Sequence, residues 1–380
     1  MNRFRLPQLA ALILALAAHF SPARGGEVKP PWQVEWDKAV QAAETEGELV
    51  IYTSGSFEPF FREVFPKKFP KIKVTTVTGR GFQLGQRVLN ERRSGKFIPD
   101  VFVQGATTPT TALYPAKALT SIRSALILPD ILDQSKWWQG KHHYVDPEGE
   151  YVFMFEGAAS NGNLIYNTNL VKPHDLKSYW DLLDPKWKGK IVAMDPTVAG
   201  PASQTMIFYY HSPDLGPQFL KRLFAEASPT LVREDVRVLD WVAVGKYAIG
   251  LFARGTEVIK AEKSGLPIKP FPTAHFKEGA FVSSTGFTVS LLDRAPHPHA
   301  AKVFANWFLS REGQALWLDY VAKEALDYDS VREDVPKEKI PVDTKRIPGA
   351  KYFLISKYDL LTDKKPAEFL KQVVAPAQKQ

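Results

Sequence analysis

Hydrophobic and polar positions along this chain fall into blocks that switch between a helical and an extended period. Residues 36–46 carry apolar side chains at helical spacing and stop at Gly47, which suits the left-handed position after a helix. Residues 48–52 (ELVIY) read as a strand and 53–56 as a loop. A helix over 57–65, a strand over 71–77, a turn at Gly79, Arg80 and Gly81, a helix over 82–94 and a strand over 100–103 follow. The loop 104–108 leads into a helix expected over 109–118. Strand, loop and helix three times over is the sequence form of a parallel sheet with crossover helices.

The densest stretch is 178–200, SYWDLLDPKWKGKIVAMDPTVAG. Trp180, Leu182 and Leu183 give a short apolar helical face, Asp184, Pro185 and Gly189 punctuate it, and 191–194 reads as a buried strand. Asp195 and Pro196 end that strand. Small, hydroxyl-rich residues 197–203 then lead into an apolar helix over 204–210. Two extended segments, YVFMFE and NLIYN, flank 157–162, and a second extended pair lies at 280–284 and 286–292. Between the pairs runs a self-contained α/β unit with a helix over 232–244 and a strand over 247–252. This order predicts a second lobe inserted into the first, with two extended crossings as a hinge. Lobe one is expected over 26–158 and 285–345, taking in an apolar helix over 300–310, and lobe two over 159–284. The tail, 346–380, is not assigned to either.

The first residues change the picture of where the chain works. Arg3 and Arg5 precede an apolar run at 9–18 that is too short to span a bilayer, and Ala23 and Gly25 stand at the −3 and −1 positions of a cleavage site. A signal peptide over 1–25 and an exported, periplasmic product are expected. The chain has no cysteine, so neither a lipid-anchor cysteine nor a disulfide is available. Removing Arg3, Arg5 and Arg24 with the signal lowers the formal charge from +8 to +5. Nucleic acid is set aside as a partner, because Lys and Arg are spread through an exported chain. A small anion fits that balance.

If the strands run parallel, the loops after them share one sheet edge, where open α/β sheets bind ligands. Ser54, Ser56, Arg80, Gly81, Thr107 and Thr108 would line the cleft from lobe one. Thr197, Ala199, Gly200, Arg254, Gly255 and Thr256 would face them from lobe two. Small residues let backbone N–H groups approach a ligand, hydroxyls add donors, and helix N-termini add positive partial charge. Arg80 and Arg254 are the expected charge partners, since a guanidinium grips two anionic oxygens at once. The set favours a phosphate, phosphonate or carboxylate group. No dinucleotide fingerprint, P-loop, zinc pattern or nucleophile motif is present, so no catalytic residue, metal ligand or cofactor is assigned.

The block 178–200, with GELVIYTS at 47–54 and APHPHAAKVFANWFLSREGQ at 295–314, closely resembles periplasmic solute-binding proteins of ABC importers. The resemblance is to the group that includes ferric-ion, phosphonate, polyamine and thiamine binders. It implies an α/β, two-lobed periplasmic-binding-protein fold of type II, each lobe a mainly parallel sheet with flanking helices. It also implies a small-molecule ligand, an inner-membrane permease as partner and a monomeric carrier. Ferric-binding members place two consecutive tyrosines just after the strand matching 247–252, where this chain has Phe252, Ala253 and Arg254. Tyr209 and Tyr210 fall at the far end of a helix, where core packing is expected. Ferric ion is therefore the alternative ligand. A secreted bilobal enzyme acting on a small phosphoester is the alternative of another class, and a sensory binder a third.

Overall fold

The computed structural model describes residues 29–159, 163–198, 201–282 and 287–377. The expected signal segment lies outside the described residues, as do parts of both expected crossings. Helix α1 (Pro31–Glu46) ends where Gly47 takes φ 70° and the chain turns straight into strand β1 (Glu48–Thr53). Then come α2 (Glu58–Lys68), β2 (Lys73–Thr78), α3 (Gly81–Arg93) and β3 (Val101–Gly105). The helix expected over 109–118 is instead a single wide turn, Pro109–Leu113, with Lys117 at φ 51°. Pro115 lacks the N–H that a longer helix would need there.

Strand β4 (Leu119–Thr120), helix α4 (Pro129–Leu132) and strand β5 (Phe153–Met154) complete the first passage through lobe one. Lobe two comprises β6 (Leu164–Asn167), β7 (Ile191–Met194), α5 (Pro201–His211), α6 (Gly216–Arg222) and β8 (Thr230–Val232). It continues through α7 (Asp235–Ala243), β9 (Ile249–Leu251), α8 (Gly255–Lys263) and β10 (Ile268–Pro270). After β11 (Ala280–Val282) come β12 (Phe287–Leu292), α9 (Pro298–Leu309) and α10 (Arg311–Lys323). The tail forms β13 (Tyr352–Leu354), α11 (Tyr358–Thr362) and α12 (Lys365–Ala377).

The first sheet runs β2-β1-β3-β12-β4, with β5 also against β12, and the second runs β10-β6-β9-β7-β8. β1 is parallel to β2 and β3, while β12 is antiparallel to β3, β4 and β5. In lobe two, β7 is parallel to β8 and β9, and β6 runs against β9 and β10. Each sheet is thus mainly parallel, as expected, with a single strand in the opposite sense, β12 in the first and β6 in the second. Strands within β-loop-α units must be parallel, because a helix returns the chain to the same sheet edge. β12 and β6 arrive from the other lobe and enter in the opposite sense.

Each lobe has its own core. In lobe one, Phe57, Phe60, Phe61 and Phe65 of the α2 region pack with Phe304, Phe308 and Trp317 of α9 and α10. In lobe two, Tyr209 lies among Tyr179, Phe219 and Phe252. Ile355, Leu370 and Val374 of the tail belong to this second core. The segment after α10, together with the tail, makes a third connection beside the two expected crossings. Gly157 N–H donates to Asp329 O at 2.8 Å, Ala159 N–H to Thr344 O at 2.8 Å, and β13 pairs with β11.

Candidate functional site

Loops at the ends of β1, β2 and β3 meet loops at the ends of β7 and β9 across a cleft of roughly 1150 Å³. Ser54, Ser56, Arg80, Gly81, Thr107, Thr108, Thr197 and Arg254 all line it. The first loop is held by its own hydroxyls, Ser54 Oγ lying 2.9 Å from Ser56 Oγ, and by the Tyr320 hydroxyl donating to Ser56 O at 2.7 Å. At the second loop, Gln104 Nε2 donates to Gly79 O at 3.2 Å and ties the ends of β2 and β3 together.

Gly81 opens α3 where space is scarce. A Cβ there would lie 3.1 Å from Thr108 Oγ1 and 3.4 Å from Gln104 Oε1, and one on Gly85 would lie 2.4 Å from Thr108 Cγ2. The two glycines let α3 pack directly on the β3 loop, which brings Arg80, Gln104 and Thr108 to one wall. The Arg80 side chain is exposed at that wall and has no ion-pair partner among the described residues. It is therefore a cation open to a ligand.

In lobe two, Asp195 organises the loop after β7. Thr197 N–H and Oγ1–H both donate to Asp195 Oδ1, at 2.9 and 2.6 Å. The Thr197 hydroxyl proton is thus engaged locally, leaving that oxygen as an acceptor rather than the donor expected. Ala199 and Gly200 lie outside the described residues. At the end of β9, Phe252 is held at φ 66°, an uncommon conformation for a bulky residue, and this turn aims Arg254 into the cleft. Arg254 Nε donates to Asp235 Oδ2 at 2.7 Å, so its charge is partly answered within the lobe.

Gly255 and Thr256 are not brought to this cleft. The N-terminus of α8 is occupied by the Asp327 carboxylate: Thr256 Oγ1 donates to Asp327 Oδ1, and a Cβ on Gly255 would lie 2.1 Å from Asp327 Oδ2. An internal anion sits where a ligand anion was expected. Burial raises the Asp327 carboxyl above its ordinary range, and the Thr256 bond and Arg254 charge oppose that rise.

The wall that sequence reasoning missed comes from the tail. Leu360, Leu361, Asp363, Ala367 and Lys371 line the same cleft. The amphipathic run Phe369, Leu370, Val373, Val374 signals a helix there, but nothing local says where it docks. His211 Nε2 approaches Asp363 Oδ2 at 3.4 Å, and burial lowers the His211 pKa. Tyr209 is fully buried, and desolvation pushes its phenol well above the usual range, as a core residue. Among the described residues, no group of three or more His, Cys, Asp or Glu is placed to hold a metal ion.

A family model described as bacterial extracellular solute-binding protein matches residues 54–315. IdiA (FutA) of Trichodesmium, solved in complex with iron and citrate, has a TM-score of 0.63 at 22% identity, over 88% of this chain and 100% of its own. A putative extracellular solute-binding protein from Bordetella parapertussis has a TM-score of 0.65 at 16% identity, covering 88% and 99%. The periplasmic binding protein AfuA of Actinobacillus pleuropneumoniae, with exogenous fructose-6-phosphate bound, has a TM-score of 0.58 at 17% identity, covering 88% and 99%. At these identities the likeness is one of fold. No curated protein sequence matches the chain.

Proposed function

This chain belongs to the family of bacterial extracellular solute-binding proteins, exported periplasmic components of ABC importers, and from that premise we propose that its solute is a small anion. The anion carries a phosphate, phosphonate or carboxylate group and binds between the lobes. The observation that carries this reading is Arg80, an exposed guanidinium at the cleft wall with no ion-pair partner among the described residues. Micromolar binding requires about 8 kcal/mol. The α3 terminus contributes roughly 0.3–1 kcal/mol, whereas each charge-assisted bond from Arg80 contributes about 1.5–3 kcal/mol. The arginine therefore decides affinity, and the neutral donors of Ser54, Ser56, Thr107 and Thr108 set orientation.

Two of the similar structures were solved with an organic anion present, citrate together with iron in one and a sugar phosphate in the other. The first of these also holds iron, so the choice of an anion over direct ferric binding rests on the residues after β9. Phe252, Ala253 and Arg254 stand there, and a cation repels Fe³⁺. Ligand contacts to both walls favour the closed arrangement of a pre-existing open–closed equilibrium. The closed monomer then presents its solute to a membrane permease, the partner typical of this family, by binding and release without covalent chemistry.

The test is calorimetry with inorganic phosphate, methylphosphonate and acetate, on the natural chain and on Arg80→Ala. At least one anion should bind, and the variant should lose tenfold or more in its affinity with an unchanged melting temperature. Unchanged affinity removes the proposal. Native mass spectrometry of the purified protein gives an independent reading: a co-purifying mass equal to iron alone replaces the anion with the metal.

A further inference from the structure

We infer that the cleft is built for an organic anion with an apolar body rather than a bare inorganic one, because the C-terminal segment supplies a third, apolar wall. The inference rests on the anion reading above and adds the other half of the ligand. α11 crosses from one lobe to the other: Tyr358 packs edge-on against Tyr114 of lobe one at 5.8 Å, and Leu361 packs against the lobe-one core. α12 then seats on lobe two, with Phe369 against Tyr210 at 5.7 Å and Leu370 and Val374 in the core. Packed on both lobes, this segment forms a wall along the cleft.

The side chains that this wall leaves toward the cleft are Leu360, Leu361 and Ala367, with Lys371 as a second cation lacking an ion pair among the described residues. Lobe one answers with Phe82, which also lines the cleft and is 60% exposed. An aromatic ring that open to water, beside aliphatic side chains, marks a surface awaiting an apolar partner. Phe82 stands two residues from Arg80, at the start of α3. A head group on the guanidinium thus places the rest of the solute along Phe82 and the leucines. The roughly 1150 Å³ of the cleft is at the upper end of small-molecule sites and far more than an inorganic anion fills.

Titration calorimetry on the full mature chain with methylphosphonate, hexylphosphonate and hexanol tests this. Each buried methylene adds about fourfold in affinity, so three of the five extra ones predict about 60-fold tighter binding of hexylphosphonate. Phe82→Ala combined with Leu360→Asn should remove most of that gain and leave methylphosphonate unchanged. Phe82→Ala alone, at an exposed side chain, serves where the double variant does not fold. Equal affinity for the two phosphonates, or a variant that weakens both alike, overturns the apolar wall and leaves the anion reading standing. Hexanol binding as tightly as hexylphosphonate, or neither phosphonate binding, overturns the anion reading and this inference with it.

Discussion

The two cleft arginines look alike in sequence and differ in what surrounds them. Arg80, at the start of α3, has no ion-pair partner among the described residues, whereas Arg254 already donates to Asp235, itself only 14% exposed. Arg254 is 56% exposed, so solvent screens that pair and its contribution to stability falls within about 0–1 kcal/mol. Its effect on a ligand is larger, because an adjacent carboxylate cancels part of the field an anion would feel. Arg254→Ala should therefore cost less affinity than Arg80→Ala, and Asp235→Asn should tighten anion binding a few-fold. Calorimetry on the three variants with one anion decides it; a larger loss at Arg254 reverses the assignment. The residue types at the strand ends were legible because a β-loop-α repeat puts them on one edge. The pairing of Arg254 was not, since Asp235 lies 19 residues away on another helix and no local pattern links them.

Among the elements, periodicity showed the β-loop-α order of lobe one, the placement of Gly47 and the buried strand 191–194, but it gave no sign of α6, α8, α10, β8 or β10 and extended the turn Pro109–Leu113 into a helix. What periodicity could not show was which helix termini stay open. α3 and α8 both begin with glycine after an arginine, yet α3 faces the cleft and α8 faces Asp327. That carboxylate comes from the segment after α10, 71 residues away from Thr256, so only the folded chain reveals it. Gly255 is required by this contact. In Gly255→Ala the methyl group would displace Asp327, which cannot move without losing its Thr256 bond. The variant should lose about 1–3 kcal/mol of stability, in the range of overpacking, measured by urea unfolding. Because Gly255 does not line the cleft, methylphosphonate affinity should stay near that of the natural chain. Stability equal to the natural protein would mean that the Asp327 contact is not made in solution.

For the whole molecule, the crossings between lobes are where charge and conformation meet. Glu156 is fully buried at the first crossing, accepting from Ala158 N–H at 2.6 Å and from Phe287 N–H at 3.3 Å. Desolvation, with Asp327 and Asp329 nearby, pushes its pKa from 4.5 to about 8, against the two backbone bonds that favour the ionised form. Asp327 and Asp329 are themselves raised by burial, while Arg254, Lys337 and Arg346 stand on the other side of the balance. The unfolded chain releases the Glu156 proton near pH 4.5 and the folded chain holds it until about 8. Between those values the folded state binds more protons, so stability falls as pH rises through the window and levels off above it. Glu156→Gln keeps the shape and one acceptor but cannot ionise. Its stability should decline less steeply between about pH 4.5 and about pH 8 than that of the natural chain, measured as urea-unfolding free energies across that range. Parallel curves for the two proteins would show that Glu156 titrates normally and that the crossing is open to water.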